Sequence, residues 1–237
     1  MYHAVPVLKY KVTYILTAWR APARDGLTHI GDARHGFYNG VRPEQVTQAE
    51  GTRNGIEHYC HFGIATRGVL VDLPRHFARQ GRPWSSTGSA EASADDIARC
   101  LQDQGSQLRP GDVLLLRTGW VRDFRAAATL EAREQLFRPR DYSGLAGDLR
   151  MWEFLWDHRL AAVAADSVTV ERFPLEPGMP SLHWAIARLG LVLGELFDLD
   201  ALAEAAARDG RHECLFVSSP LNLRGGVGSP ANAMAIR

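Results

Sequence analysis

Two stretches far apart in the sequence carry residue types that bind metal ions. The first is Asp25–His29, in which Gly-Leu-Thr separates an aspartate from a histidine, and the second pairs His183 with Glu195. Together they supply two carboxylates and two imidazoles, a mixture that suits a divalent ion such as zinc or manganese. If the two stretches meet in the fold, Asp25, His183 and Glu195 are candidate ligands, and His29 is placed to reach a metal-bound water.

The elements that carry these residues must bring them together. His183 falls in the first turn of a predicted helix, and Glu195 falls on the predicted strand that returns after Gly190. A helix that leads away from a site and a strand that comes back can place residues twelve positions apart side by side. A structural interpretation stays open for each pair: His183 as a helix cap, Glu195 as a half-buried strand carboxylate, and Asp25 as the start of a turn.

Three other motifs also contain residue types that could do chemistry. Asp72 and His76 belong to a stretch that looks like a metal motif, but the residues before Asp72 are typical of a buried strand and add no further ligand types. The cluster at 58–61 contains histidine and cysteine without a second cluster at zinc-finger spacing. The glycine-rich residues 225–229 lack the flanking strand and helix of a phosphate-binding loop.

The composition is typical of a soluble globular protein, since 46% of the 237 residues are hydrophobic and 23% are charged. The formal net charge of zero predicts neither a nucleic-acid partner nor an anionic membrane partner. The three cysteines are widely spaced and odd in number, so we expect a reducing, cytoplasmic setting. No stretch reaches the ~18 apolar residues that span a bilayer, and the first residues are not typical of a signal peptide.

The first two dozen residues differ in composition from the rest. Lys9 and Lys11 are the only lysines, and from Asp25 onward the chain is rich in arginine, alanine, glycine and leucine. We therefore divide the chain into an atypical N-terminal segment, residues 1–24, and a single domain, residues 25–237. Chance is one explanation of the difference, and loss or replacement of the native beginning is the other.

The hydrophobic pattern predicts alternating strands and helices, and hence one α/β domain with a mixed sheet. Residues 20–57 are typical of a loop because glycine, asparagine and proline interrupt them. The predicted strands cover residues 5–18, 68–72, 113–117, 161–165, 191–196 and 213–218, with a final short strand after them. The predicted helices cover residues 91–107, 123–139, 152–158, 181–188 and 200–208.

From residue 25 to residue 237 the chain resembles the cyclase family, which includes bacterial kynurenine formamidases and isatin hydrolases. The matching segments occur in the same order as in the family: 25–29, 36–40, 67–72, 115–120, 164–167, 182–183 with 194–195, 220–223 and 228–232. In the family motif H-x-G-T-H-x-D-x-P-x-H, Asp25 matches the aspartate and His29 the last histidine. The two earlier histidines of the motif fall on Trp19 and Ala23.

The resemblance implies a compact β/β/α fold of the swivelling type that assembles as a homodimer or homotetramer. It also implies a Zn²⁺ or Mn²⁺ site with Asp25, His183 and Glu195 as ligands, at which water attacks an amide-type carbonyl. His29 is the candidate base or proton shuttle, because histidine exchanges protons near neutral pH. Glu195 is counted with His29 among the candidate catalytic residues.

The implied activity is hydrolysis of a small amide or cyclic amide, similar to that of the arylformamidases of tryptophan catabolism. Phe37, Tyr38 and Trp120 are candidates for holding an aromatic or cyclic small-molecule substrate, with core packing as the alternative role. The alternative function is that of a family member that has lost catalysis and serves as a binding or partner subunit, which Trp19 and Ala23 at histidine positions favour. Three protein ligands can still hold a catalytic metal, so both functions stay open.

Overall fold

The computed structural model describes residues 12–14, 23–47 and 53–237. The strand predicted for residues 5–18 is described over Val12–Tyr14 alone. Trp19 and the remainder of that predicted strand lie outside the described residues. The division into a segment of residues 1–24 and a domain of residues 25–237 therefore stays a prediction.

The described strands form one large mixed sheet and one small sheet. Their bounds are β1 (Val12–Tyr14), β2 (Ala23–Asp25), β3 (Ile64–Asp72), β4 (Glu91–Ala92), β5 (Val113–Arg117), β6 (Gly144–Leu145), β7 (Ala162–Ala165), β8 (Val192–Glu195), β9 (Glu213–Ser218), β10 (Gly228–Pro230) and β11 (Ala233–Ile236). The large sheet has the strand order β1-β11-β9-β3-β5-β7-β8-β2-β10, and β4 pairs with β6 in the small sheet.

Four parallel strands, β3, β5, β7 and β8, occupy the centre of the large sheet. Leu70, Leu115 and Ala164 lie side by side across three of them. Antiparallel strands flank this centre on both sides, with β9, β11 and β1 beyond β3 and with β2 and β10 beyond β8. The predicted α/β fold with a mixed sheet is therefore confirmed.

Helices cover both faces of the central strands. Their bounds are α1 (Ile56–Phe62), α2 (Leu73–Arg79), α3 (Ala94–Asp103), α4 (Trp120–Ala126), α5 (Leu130–Phe137), α6 (Leu149–Asp157), α7 (Leu182–Leu189) and α8 (Asp200–Asp209). Alternate strand residues divide between two cores: Val69, Leu114 and Val163 pack with α2, α3, α6 and α7, whereas Leu70 and Leu115 pack with α8. Because both faces are covered, these strands are continuous apolar runs in the sequence.

Three predicted segments differ from the structure. The helix predicted for residues 91–107 covers Ala94–Asp103 and is preceded by β4, because the Ser93 side chain caps the helix. Residues 20–57, predicted as a loop, contain β2 and the start of α1. A three-residue strand contains too few residues to show the alternation of apolar and polar side chains by which strands are recognised in a sequence. Its partner strands are also distant in the chain. The helix predicted for residues 123–139 is two helices, α4 and α5, because the Thr129 hydroxyl caps a new helix by accepting a hydrogen bond from the Ala132 N–H at 3.1 Å.

The carboxyl ends of the parallel strands form the edge where open α/β sheets place their ligands. Asp166, directly after β7, is fully buried at this edge. Its carboxylate accepts hydrogen bonds from the Thr118 N–H at 2.5 Å, the Thr118 hydroxyl at 2.7 Å and the Gly119 N–H at 2.9 Å. The loops after β5 and β7 are therefore tied to each other.

We expect Asp166→Ala to destabilise the protein by about 3 kcal/mol, because it leaves two backbone N–H groups and a hydroxyl buried without their acceptor. The matched control is Asp157→Ala, which removes an exposed carboxylate at the end of α6 and should change stability by no more than about 0.5 kcal/mol. Urea unfolding followed by tryptophan fluorescence measures both changes. Equal stability of the two variants would contradict this role of Asp166.

Candidate metal centre

Helix α7 and strand β8 carry two of the predicted site residues to one point. The Ser181 side chain caps the start of α7 by accepting a hydrogen bond from the His183 N–H at 3.1 Å, which places His183 in the first turn. The helix ends at Gly190, whose left-handed conformation turns the chain into β8. Glu195 ends β8, and its Oε1 lies 3.2 Å from Nε2 of His183.

Strand β2 brings Asp25 to the same point. It pairs antiparallel with β8, with Arg24 opposite Gly194, and it pairs on its other side with β10. The next residue, Gly26, donates a backbone hydrogen bond to the Val227 carbonyl at 2.9 Å. A Cβ at this position would lie 2.9 Å from the same carbonyl oxygen, so glycine permits the close approach.

Asp25, His183 and Glu195 form one compact cluster. The Oδ2 atom of Asp25 lies 3.7 Å from Nε2 of His183. One ligand atom from each of the three residues lies within 4.8 Å of the other two. The structure thus brings together the two halves that lie far apart in the sequence.

His29 lies beside the cluster, on its solvent side. The turn after β2 is closed by a hydrogen bond from the His29 N–H to the Gly26 carbonyl at 3.0 Å. The Nε2 atom of His29 lies 3.6 Å from Oδ1 of Asp25, and the histidine side chain is 39% exposed. His29 is therefore in contact with both the cluster and water.

The electrostatics of the cluster favour positive charge. Burial raises the pKa of Asp25 and that of Glu195. Burial alone would lower the pKa of His183, but hydrogen bonds to Glu171 and Glu195 outweigh burial and raise this pKa to about 11. In the metal-free protein the protonated imidazole is therefore the cation that the surrounding carboxylates hold.

The residues present fit a divalent metal ion. The Oδ2 atom of Asp25 is buried and has no hydrogen-bond partner. A buried carboxylate oxygen without a partner is costly, and coordination to a cation removes that cost. Two carboxylates and one imidazole are donors that zinc and manganese accept, and three protein ligands leave coordination positions open for water or substrate.

Glu171 is a residue at this site that the sequence analysis missed. It is 3% exposed and lies in the segment between β7 and α7. Its Oε1 and Oε2 atoms lie 2.9 Å and 3.1 Å from Nδ1 of His183, and Oε1 accepts a hydrogen bond from the Ser181 hydroxyl at 2.5 Å. Burial opposes ionisation, but the hydrogen bond to His183 outweighs it and lowers the pKa of Glu171. The sequence signal for Glu171 is its place in the segment after the parallel strand β7, because open α/β sheets bind ligands at the carboxyl ends of their strands.

The three aromatic candidates make their described ring contacts away from the cluster. Trp120 is 2% exposed and stacks on Phe124 with ring centroids 5.3 Å apart. The ring of Tyr38 packs against Gly190, at the opposite end of α7 from His183, and the ring of Phe37 packs against Gly31. Trp120 is therefore part of a buried aromatic cluster, and substrate contact by Phe37, Tyr38 and Trp120 stays a prediction.

The other motifs have structural partners of their own. Asp72 forms a buried ion pair with Arg117, with Oδ1 and Nη1 3.0 Å apart, and it caps α2. Nδ1 of His76 lies 3.3 Å from Oδ2 of Asp103. Residues 58–61 lie on α1. In the part of the chain that the structure describes, the cluster around His183 is the one group of three side chains with metal-ligand geometry.

Comparison with known proteins identifies the family. A family profile described as “putative cyclase” matches residues 25–172, which is more than half of the chain. A crystal structure described as a novel cyclase is 32% identical with a TM-score of 0.77, and the match covers 91% of this chain and 69% of that one. The chain belongs to the cyclase family, as its sequence motifs predicted. It matches none of the curated proteins.

More distant structures share the fold. Isatin hydrolase A from Labrenzia aggregata, bound to benzyl benzoate, is 13% identical with a TM-score of 0.61, over 91% of this chain and 72% of that one. A structure described as a potential metal-dependent hydrolase with cyclase activity is 18% identical with a TM-score of 0.52, over 100% of this chain and 90% of that one. Among the described residues, no helix has the length and apolar character needed to cross a membrane.

We expect the chelator-treated protein to take up roughly one Zn²⁺ or Mn²⁺ ion per chain, because the described residues contain one three-ligand cluster. His183→Ala should abolish uptake, since it removes the nitrogen ligand of this cluster. His29→Ala is the matched control and should keep the full metal content, because His29 lies outside the ligand set. Plasma emission spectrometry after gel filtration measures the ratio. If the unaltered protein takes up neither ion, the cluster is not a site for these metals.

Proposed function

We propose that this chain is a metal-dependent hydrolase that opens the carbon–nitrogen bond of a small amide or cyclic amide. The observation that carries the proposal is the buried cluster of Asp25, His183 and Glu195, in which a carboxylate oxygen has no hydrogen-bond partner. Membership of the cyclase family supports it. So does the shared fold with structures described as an isatin hydrolase and as a potential metal-dependent hydrolase.

Asp25, His183 and Glu195 would hold Zn²⁺ or Mn²⁺. Three protein ligands are sufficient for a catalytic metal site, because water or substrate takes the remaining position. When bound, the metal polarises a carbonyl and lowers the pKa of water toward neutrality. The two carboxylates offset the charge of the ion, and burial of the cluster strengthens these interactions. The donor set suits both ions, so the metal itself is part of the proposal.

His29 is the proposed general base. Its Nε2 atom is 3.6 Å from Oδ1 of Asp25, so it lies within reach of a water held at the cluster. Its exposed side chain can pass the proton to solvent or return it to the leaving nitrogen. Glu195, the other candidate catalytic residue, would act as a ligand together with Nε2 of His183, from which its Oε1 lies 3.2 Å away.

The proposed substrate is a small aryl amide, either an open arylformamide such as formylkynurenine or a lactam such as isatin. An arylformamidase-like activity in tryptophan catabolism is the finer form of the proposal. We also propose a cytoplasmic homodimer or homotetramer that acts without nucleic acid or membrane. Sedimentation of the purified protein gives the oligomeric state directly.

Hydrolysis of formylkynurenine and of isatin by the Zn²⁺- and Mn²⁺-loaded protein tests the proposed activity. We expect His29→Ala to lower kcat by roughly 10²–10⁴-fold, the usual contribution of a general base, without loss of metal. His35→Ala is the matched control, because His35 belongs to the same loop, is exposed and pairs with Asp32. Its kcat should equal that of the unaltered protein.

The outcomes separate the two functions. Turnover that depends on His183 and His29 supports the hydrolase. Full metal occupancy with no turnover of any aryl amide or lactam would favour the alternative, a family member that binds without catalysing.

Position 23 tests whether the site can accept a further ligand. Ala23 belongs to β2 and pairs with Glu195 of β8 in the sheet. Residues i and i+2 of a strand share a face, so we expect Ala23→His to add an imidazole beside Asp25 and to tighten Zn²⁺ binding. Thr66→His, on β3, is the control for the added imidazole. Competition with a chromophoric chelator measures the Zn²⁺ affinities of both variants. Equal affinities would contradict the proposal that the other ligands are already in place beside position 23.

A further inference from the structure

The imidazole of His183 is held from both of its nitrogens. Nε2 faces the cluster, 3.2 Å from Oε1 of Glu195 and 3.7 Å from Oδ2 of Asp25. Nδ1 faces Glu171, whose two carboxylate oxygens lie 2.9 Å and 3.1 Å away. A neutral imidazole carries one N–H and one lone pair. Because the ligand nitrogen must present its lone pair, the proton must lie on Nδ1, where Glu171 accepts it.

The backbone fixes Glu171 independently of the metal ligands. The residues on either side of it bond to β6: Leu145 donates to the Val170 carbonyl at 3.1 Å, and Arg172 donates to the Leu145 carbonyl at 2.8 Å. Gly144 lies under this segment, since a Cβ there would approach the Val170 oxygen and the Glu171 carbonyl carbon to 2.6 Å. The small sheet of β4 and β6 therefore determines where the Glu171 carboxylate lies.

We propose that Glu171 is the positioning residue of the metal centre, which fixes the tautomer and the ring orientation of His183. Metal-bound histidines generally donate their second N–H to such a carboxylate, and loss of that partner weakens metal binding. Glu171 is not a fourth ligand, because it contacts the nitrogen that faces away from Asp25 and Glu195. The inference rests on the proposed function, in that it requires a metal at the cluster.

A purely structural role for Glu171 would be support of α7 through Ser181. Ser181 donates to Oε1 of Glu171 at 2.5 Å and caps α7. Ser181→Ala removes that support, and because the Ser181 hydroxyl also accepts from the His183 N–H, it should lower the midpoint of urea unfolding and does not serve as a neutral control. The matched control is Glu176→Ala, which removes an exposed carboxylate of the same segment that pairs with Arg172; its Zn²⁺ affinity should stay within about 3-fold of the unaltered value, well below the loss expected for a positioning residue.

The test is Zn²⁺ affinity by competition with a chromophoric chelator, on the full chain. We expect Glu171→Ala to weaken binding by roughly 10–100-fold. Glu171→Gln keeps an acceptor for the Nδ1–H without the charge, so its affinity should lie between those of Glu171→Ala and the unaltered protein. This order of affinities is not expected from a loss of stability alone.

A spectroscopic measurement reports the tautomer directly. In ¹⁵N-histidine-labelled protein loaded with Zn²⁺, the Nδ1–H of His183 should give a hydrogen-bonded proton signal that persists in Glu176→Ala and is lost in Glu171→Ala. Unchanged Zn²⁺ affinity in Glu171→Ala, with tight binding by the unaltered protein, would overturn this inference and leave the proposed function intact. Failure of the unaltered protein to bind Zn²⁺ or Mn²⁺ would overturn both.

Discussion

The pairing of β2 with β8 is the interaction on which the candidate metal centre depends. Because Ala23 is opposite Glu195 in this antiparallel pairing, Asp25, two residues further along β2, lies diagonally across from Glu195 on the same face of the sheet. His183 reaches the same point from the side of α7, which is joined to β8 by the turn at Gly190. One strand pairing and one helix–strand unit thus bring together ligand types from both ends of the sequence.

The charges at this point explain why the buried cluster favours a cation. Three carboxylates, those of Asp25, Glu171 and Glu195, converge on the single imidazole of His183. Like charges at such distances repel, and burial strengthens the repulsion. A proton on His183 relieves part of it, and a divalent ion relieves more. The fold alone does not define a chemistry; the buried carboxylates around one imidazole are the feature that supports a cation at this point.

Local patterns in the sequence were sufficient to predict most elements around the site. Short apolar runs and a serine cap predict α7 and β8 to within one residue at each end, so the approach of His183 to Glu195 was foreseeable. Glu171 was not, because its position is set by backbone hydrogen bonds to β6 that no spacing rule encodes. The role of Trp120 is ambiguous in the sequence for another reason. An aromatic side chain suits substrate contact and core packing equally, and the sequence does not show that this one is buried.

The outer neighbour of β2 is β10, and this has a consequence for the order in which the centre is assembled. Asp25 is opposite Gly228 in that pairing, so the strand that carries the first candidate ligand is enclosed by a strand far later in the sequence. Contacts of such long sequence separation form late, since the intervening loop must close first. The outer edge of β2 therefore stays unpaired until β10 reaches it, and completion of the candidate metal centre is coupled to the closing of that long loop.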